Sequence, residues 1–239
     1  MDVGTRVVVV IPAIDEEPAI GRVLADIPRS VSEVIVVDNG SRDRTAEVAA
    51  AMGATVVREP RRGYGQACLA GIAAAGAADI IVFLDGDGSD HPEQLAEVLG
   101  PVARGEADLV IGSRTLGRRA PGAHPWHAVM GTRLCVSLMN RLIGTAATDL
   151  GPFRAITASA LRRLDMSDRD FGWTVEMQAR AALAGWRSTE VPVSYRRRVG
   201  VSKITGTVSG TIRAGIKILT TLFLLRLGRA TGKVLDTTE

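Results

Sequence analysis

The chain has 239 residues, 46% hydrophobic, 23% charged and only 4% aromatic, which is enough apolar material for a sizeable core and excludes a disordered tail. Lys and Arg number 29 against 26 Asp and Glu, a formal charge of +3 that is too mild to argue for nucleic acid, and 26 Gly with 10 Pro exclude collagen-like and proline-rich repeats. Cys68 and Cys135 lie in alanine- or leucine-rich segments and cannot build a disulfide framework, so buried thiols in a reducing cytosol are expected.

Met1 to Arg6 leads directly into a Val/Ile run that meets Pro12 and the acids Asp15, Glu16 and Glu17, a pattern of neither a signal peptide nor a presequence. Apolar runs of strand length follow at 7–11, 34–37, 55–57, 80–84 and 109–111, unalternated as for strands buried on both faces. Helical stretches separate them at 18–26, 45–52, 65–75 and 93–102. Ser41 and Asp43 supply caps before the second, and His91-Pro92-Glu93 opens the fourth. This βαβαβ succession predicts a mostly parallel sheet between helices, with right-handed crossovers.

Beyond residue 115 the pattern changes. Leu116 to Trp126 is a Gly, Arg, Pro and His-rich loop; Trp126 to Ile143 returns to helical spacing. Further helices are expected at 160–163 and 174–184, a short strand at 191–195, and an apolar helix at 207–227 interspersed with Arg213, Lys217, Arg226 and Arg229. No stretch reaches the roughly 18 uninterrupted apolar residues of a spanning helix, so a soluble or peripheral cytoplasmic protein is expected. Residues 1–205 read as one domain and 206–239 as an amphipathic helical extension and tail.

Ligands of open α/β sheets bind at the carboxyl ends of the strands, which directs attention to residues 12–16, 38–41, 58–63, 85–90 and 112–114. Asp85-Gly86-Asp87 follows a buried strand directly. Two hard oxygen donors on a rigid support suit Mg²⁺ or Mn²⁺, which typically takes further ligands from substrate phosphates. A lone Asp-x-Asp can equally be a strand-terminating turn, but the neighbouring strand also ends in an acid, Asp38, followed by Asn39-Gly40-Ser41. Asp38 can serve the turn or accept from a base or ribose edge. A dinucleotide fingerprint fails, because Gly63-Tyr64-Gly65 lacks the third glycine and the first strand ends in Pro12; a P-loop is absent too.

The sequence resembles the family-2 inverting glycosyltransferases of the GT-A fold, particularly their dolichyl- and polyprenyl-phosphate mannosyltransferase branch. The resemblance rests on VVVVIPAIDEE (7–17), VIVVDNGSRDRT (34–45), RGYGQACLAGI (62–72), IIVFLDGDGSDHPEQL (80–95), LVIGSR (109–114), TDLGPFRAI (148–156), GWTVEMQARA (172–181) and VPVSYRRRVGVSK (191–203). It implies an α/β, Rossmann-like GT-A domain with a mostly parallel sheet flanked by helices and a C-terminal helical extension. Pro12, Ala13 and Glu16 would then contact the nucleoside of a nucleotide sugar, Asp38 the base, and Asp85 the ribose or metal, with Gly65 on the donor's side. Asp87 would be the principal ligand of the cation bridging the donor's phosphates. Where the family often has a metal-binding Gln, this chain has Ser89, a weaker ligand that leaves water or Asp90 to complete the shell. On the acceptor side Asp149 and Arg154 match, although Pro152 departs from the family's Gly-Phe-Arg.

The implied reaction is in-line transfer of a hexose from GDP-mannose or UDP-glucose to a polyprenyl phosphate with inversion. A hydroxyl acceptor would instead need a base, with Asp149 or Glu176 leading. A sugar nucleotidyltransferase lacks its glycine-rich loop here, and a non-catalytic nucleotide-sugar-binding module would not release nucleoside diphosphate. Arg114, Arg133, Arg154, Arg196, Arg198 and Lys203 attach to segments expected to ring one cleft, as two phosphate-bearing substrates require. Alone, Arg196 to Arg198 reads as a solvated basic run, while Ser202-Lys203 matches the family's phosphate-binding segment. Arg118 and Arg119 are expected in a mobile loop, His91 at a helix cap, and His124 and His127 at a loop or helix start. Trp173 and Trp186 fit core or cleft packing, Trp173 within reach of sugar or acceptor. In the last helix Ile212, Ile216, Leu219, Leu222, Phe223 and Leu227 recur at helical spacing, with Leu224 and Leu225 widening the stripe; core packing, dimerisation and a membrane-surface helix all fit.

Overall fold

A computed structural model describes residues 4–123, 125–200 and 208–230. Seven strands form one sheet: β1 (Val7–Ala13), β2 (Glu33–Asp38), β3 (Thr55–Arg58), β4 (Ile80–Phe83), β5 (Leu109–Ser113), β6 (Arg154–Thr157) and β7 (Ser188–Pro192). Their spatial order is β3-β2-β1-β4-β6-β5-β7, and β6, antiparallel to both neighbours, is the one strand that runs against the rest. Helices α1 (Glu17–Ala25), α2 (Thr45–Ala51), α3 (Tyr64–Ala74), α4 (Leu95–Ala103), α5 (Trp126–Ile143), α6 (Ala158–Leu164), α7 (Trp173–Leu183) and α8 (Val208–Ala230) complete the chain.

Because successive strand residues face opposite sides, the Val/Ile runs of β1 and β4 feed two cores at once. Val8, Val10, Ile81 and Phe83 pack with α3, α6 and α7; Val7, Val9, Ile80 and Val82 pack with α1 and α4. A third cluster joins α5, α7 and α8 through Met139, Ile143, Val175 and Leu222, so the last helix docks on its neighbours. Both cysteines are buried and unbridged.

Three expectations change. Edge strand β3 is partly exposed, not buried on both faces, because it pairs with β2 alone and its other edge has no neighbouring strand. The seventh strand lies at 188–192 rather than 191–195: Val193 and Tyr195 carry the apolar alternation because they are buried beyond the ladder, whereas the ladder itself uses an exposed polar edge. Strand β6 falls where no strand was expected. It has four residues, begins with an arginine and follows a Gly-Pro turn, so it carries almost no periodic signal. The boundary at 205/206 lies outside the described residues.

Gly65 illustrates how the fold closes around the site. A Cβ there would lie 2.1 Å from the Asp168 carbonyl oxygen, because the 168–170 segment crosses the start of α3 and the Gln66 amide donates to the Arg169 carbonyl at 2.9 Å. Gly65→Ala is therefore expected to destabilise the chain by roughly 2–3 kcal/mol or to prevent folding, read by urea unfolding.

Candidate active site

Strand β4 delivers Asp85, Gly86 and Asp87 to the floor of a cleft of about 340 Å³. Pro12, Ala13, Ile14 and Glu16 from the end of β1 form one wall; Asn39, Arg62, Gly63 and Tyr64 form another; Asp170, Phe171 and Arg198 complete the rim. Glycine at 86 lets the backbone pass over Ile11 and Ile20, since a Cβ would meet their methyl groups at 3.3 and 3.4 Å.

Electrostatics here are dominated by crowding. Burial, and then the nearby charges of Asp87 and Asp90, push the Asp85 carboxyl up to about 8; burial and Asp87 likewise push Asp90 up to about 6. Tyr64 donates its hydroxyl to Asp85 Oδ1 at 3.1 Å, and the Asp85 amide donates to Asp90 Oδ2 at 3.2 Å. Asp90 Oδ1 is buried with no hydrogen-bond partner. Asp87 Oδ2 pairs with Arg198 Nη2 at 2.8 Å, while its Oδ1 accepts from the Ser89 amide at 2.9 Å and from the Ser89 hydroxyl.

Segment 196–199 is latched onto this acidic turn. The Arg196 and Val199 amides donate to the Ser89 and Asp87 carbonyls, both at 2.9 Å, and Arg196 reaches the Gly88 carbonyl at 2.7 Å and Asp26 at 3.0 Å. Arg196 and Arg198 are thus half-buried and paired, and of the run only Arg197 is exposed. Nor does Arg119 lie in a free loop: it bridges Tyr195 and donates to the Arg114 carbonyl at 2.8 Å, and the Tyr195 amide donates to the Arg118 carbonyl.

Several anticipated residues sit in other roles. Asp38 accepts from the Ser41 amide at 2.9 Å, closing a turn behind the cleft wall, while its neighbour Asn39 faces the cleft and gathers the Glu59 and Arg61 carbonyls and the Gly63 amide. Ser89 is fully buried with its hydroxyl on Asp87, so it fixes that carboxylate instead of facing the cleft. Gly65 makes room for a backbone crossing, as above. Trp173 is core, edge-on to Phe83 at 6.1 Å. Arg133 is exposed on α5. His91 occupies the N-cap position of the turn at 92–94, its carbonyl accepting from the Gln94 amide at 2.9 Å, while its Nδ1 meets Glu93 at 2.8 Å instead of bonding a backbone amide. His127 lies in the first turn of α5. His124, Ser202 and Lys203 lie outside the described residues.

None of Arg114, Asp149, Arg154 and Glu176, expected to act on the acceptor, lines this cleft. Arg114 and Asp149 form a sealed bidentate pair at 2.7 and 2.8 Å, with the Arg114 and Leu150 amides also donating to Asp149. Arg114 in turn stacks 5.0 Å from the Tyr195 ring centre. Burial alone would raise the Asp149 carboxyl, but the Arg114 charge and hydrogen bonds outweigh it and hold the group below its ordinary value. Arg154 is wholly buried and donates to the Gly151 and Thr174 carbonyls; burial lowers its guanidinium to about 10. Glu176 accepts from the Ser167 and Asp168 amides, the Ser167 hydroxyl and Arg180. Sequence patterning passed over Tyr64, Asp170 and Phe171 as cleft residues; they lie in loops or at a helix start, with no periodicity to mark them.

Residues 8–167 match the model of glycosyl transferase family 2. The chain belongs to that family. An uncharacterised glycosyltransferase of Mycobacterium tuberculosis is 41% identical over 213 residues, covering 88% of this chain and 95% of the relative. The undecaprenyl-phosphate mannosyltransferase of Micrococcus luteus is 33% identical over 86% of this chain and 90% of its own. Among solved structures, glucosyl-3-phosphoglycerate synthase of M. tuberculosis, crystallised with Mn²⁺, UDP and glucosyl-3-phosphoglycerate, superposes with a TM-score of 0.74 at 24% identity, over 98% of this chain and 82% of that one, a likeness of fold. The family-2 glycosyltransferase thus has the expected GT-A architecture.

The Arg114–Asp149 pair gives a prediction with a definite sign. A depressed carboxyl stabilises fully above its unfolded value and loses that contribution as pH falls through the folded one. Asp149→Asn should cost about 3–5 kcal/mol near neutrality by stranding a buried guanidinium, and the gap to wild type in urea unfolding should narrow below about pH 4.

Proposed function

We propose that this glycosyltransferase moves a hexose from a nucleotide sugar, GDP-mannose or UDP-glucose, to a polyprenyl phosphate with inversion at the anomeric carbon. The observation that carries the acceptor assignment is the state of the two carboxylates that would serve as base toward a hydroxyl. Both oxygens of Asp149 are filled by Arg114 and the Leu150 amide, and those of Glu176 by Ser167, Asp168 and Arg180. A carboxylate with its lone pairs so occupied is poorly placed to take a proton. A phosphate acceptor is already ionised at neutral pH and needs positioning only. The similarity to the undecaprenyl-phosphate mannosyltransferase supports the same class.

In this reading Pro12, Ala13 and Glu16 hold the nucleoside, with Asn39 on the adjoining wall, and the diphosphate lies toward Arg62 and Arg198. The anomeric carbon exchanges its bond to the diphosphate oxygen for one to the acceptor oxygen on the opposite face, and the electron pair of the broken bond leaves with the nucleoside diphosphate. Asp85 and Asp87 would hold Mg²⁺ or Mn²⁺, which supplies charge stabilisation to that leaving group when bound. The donor set fits such an ion: hard oxygens crowded enough to raise Asp85, and an unpartnered Asp90 oxygen behind them. Before the donor arrives, Arg198 balances Asp87; afterwards its guanidinium is within the cleft to meet phosphate charge.

Purified protein incubated with Mn²⁺ or Mg²⁺, a panel of nucleotide sugars and a short polyprenyl phosphate is expected to yield a glycosyl phospholipid by mass spectrometry. Asp87→Ala should lower the rate on the order of 10³-fold while leaving the fold intact. Product formed only with a non-phosphorylated alcohol would overturn the acceptor assignment.

A further inference from the structure

Nine of the twelve large hydrophobic side chains exposed among the described residues lie on α5 and α8, which pack against each other. On α5, Trp126, Met130 and Leu134 recur every four residues on the side opposite Cys135, Met139 and Ile143, which are buried; Trp126 is 78% exposed. On α8, Ile216, Phe223 and Leu227 face outward, whereas Ile218, Leu222 and Leu225 pack inward. Two neighbouring helices are therefore each apolar on both sides, a waste of solvent-facing positions for a helix that only closes a core.

Charge identifies what covers this face. Neither Trp126–Ile143 nor Val208–Ala230 contains a single Asp or Glu, whereas Arg133, Arg141 and Arg226 are exposed on them. Arg133 and Arg141 fall on the same side of α5 as Trp126 and Met130. A second copy of the chain docking face to face would oppose arginine to arginine with no acid between them. No described helix is long and apolar enough to cross a membrane. Apolar stripes flanked by arginines and free of acids match the boundary of an anionic bilayer, where the rings and methyls enter the acyl region and the guanidinium groups remain among the phosphates.

We infer that the joint outward face of α5 and α8 docks on the surface of an anionic phospholipid bilayer. Helix α8 is also bonded to the segment that carries the cleft rim. Lys217 of α8 pairs with Asp168 at 3.0 Å, Asp168 accepts the Asp170 amide at 2.8 Å, and Asp170 and Phe171 form the cleft rim. Helix α8 is thus tied through Asp168 to the rim residues Asp170 and Phe171, and, on the acceptor class proposed above, a lipid carried in that bilayer would be presented on the side of the rim that α8 holds.

The test uses the full chain and vesicles without donor or polyprenyl phosphate, so its outcome is separate from that of the acceptor assignment. Wild type should cosediment with vesicles of equal parts phosphatidylcholine and phosphatidylglycerol and far less with phosphatidylcholine alone. The pair Met130→Gln and Leu134→Gln, or Phe223→Gln and Leu227→Gln, should weaken partitioning at least about tenfold, with thermal unfolding unchanged. Arg133→Glu with Arg226→Glu, which leaves the apolar packing untouched, should abolish the preference for phosphatidylglycerol. Wild type that stays in the supernatant, or binding that none of these variants weakens, overturns the inference. So does a dimer seen by light scattering that the same apolar variants convert to monomer, which would assign the face to a second copy.

Discussion

Three carboxylates within six residues, Asp85, Asp87 and Asp90, are held at the end of a strand buried on both faces, and like charges in so little water repel strongly. The local structure answers that repulsion at each atom. Tyr64 and the Asp85 amide supply hydrogen bonds, Ser89 turns its hydroxyl and amide onto Asp87, and Arg198 brings the neutralising charge. To bring Arg198 there, the chain after β7 folds back and joins its backbone to the 87–89 turn. Glycine at 86 and 88 permits the turn, the second with φ 72°. An arrangement of this kind is unfavourable to the free protein and becomes favourable when positive charge arrives, which is the electrostatic character a diphosphate-and-cation site requires.

Periodicity carried the first half of the fold, because β1, β2, β4 and β5 are continuous apolar runs and the helices between them have clear starts. The second half was less legible for a physical reason. Burial there is supplied by charged groups in sealed pairs and by loops packed under other loops, neither of which leaves an apolar period. Arg154 opens β6 yet is wholly buried, and Val193 and Tyr195 are buried outside any ladder. On the site, the strand-end rule pointed to Asp85, Asp87 and the Pro12 to Glu16 segment, all of which border the cleft apart from Asp15, whereas Asp38 was read for its own carboxylate when the adjacent Asn39 faces inward. Tyr64 sits inside the stretch 62–72, where nothing in the sequence assigns its hydroxyl a partner. Only the fold puts its hydroxyl beside Asp85, 21 positions away.

The two arginine–aspartate pairs of the site look alike in sequence and differ in what they can do. Arg198 is half-buried at the cleft rim and Asp87 lines the floor, so their contact is open to exchange with an incoming anion and cation. Arg114 and Asp149 are both buried, satisfy one another twice, and tie the end of β5 to the segment that enters β6. Removing a partner from the first pair alters charge next to solvent; removing one from the second strands an ion in the interior. Burial, not residue type, therefore divides the pair proposed to meet the leaving diphosphate from the pair that keeps its surroundings in place.

The same distinction orders the lip of the cleft. Asp168 is buried between Lys217 of α8, the Asp170 amide and, through its own amide, Glu176, so the α7 start, the α8 helix and the cleft rim share one carboxylate. The segment it anchors passes so close to Gly63 and Gly65 that the Arg169 and Asp168 carbonyl oxygens would each lie 2.1 Å from an added Cβ. Such contacts leave little freedom for the rim to move independently of α3 or α8. Helix α8 is joined to Asp170 through short, directional bonds by way of Asp168, whereas the loop 116–123 is joined to Tyr195, Arg114 and Ser113. The cleft is accordingly bordered on one side by a segment bonded to the helix with the exposed apolar face and on another by the acidic turn itself.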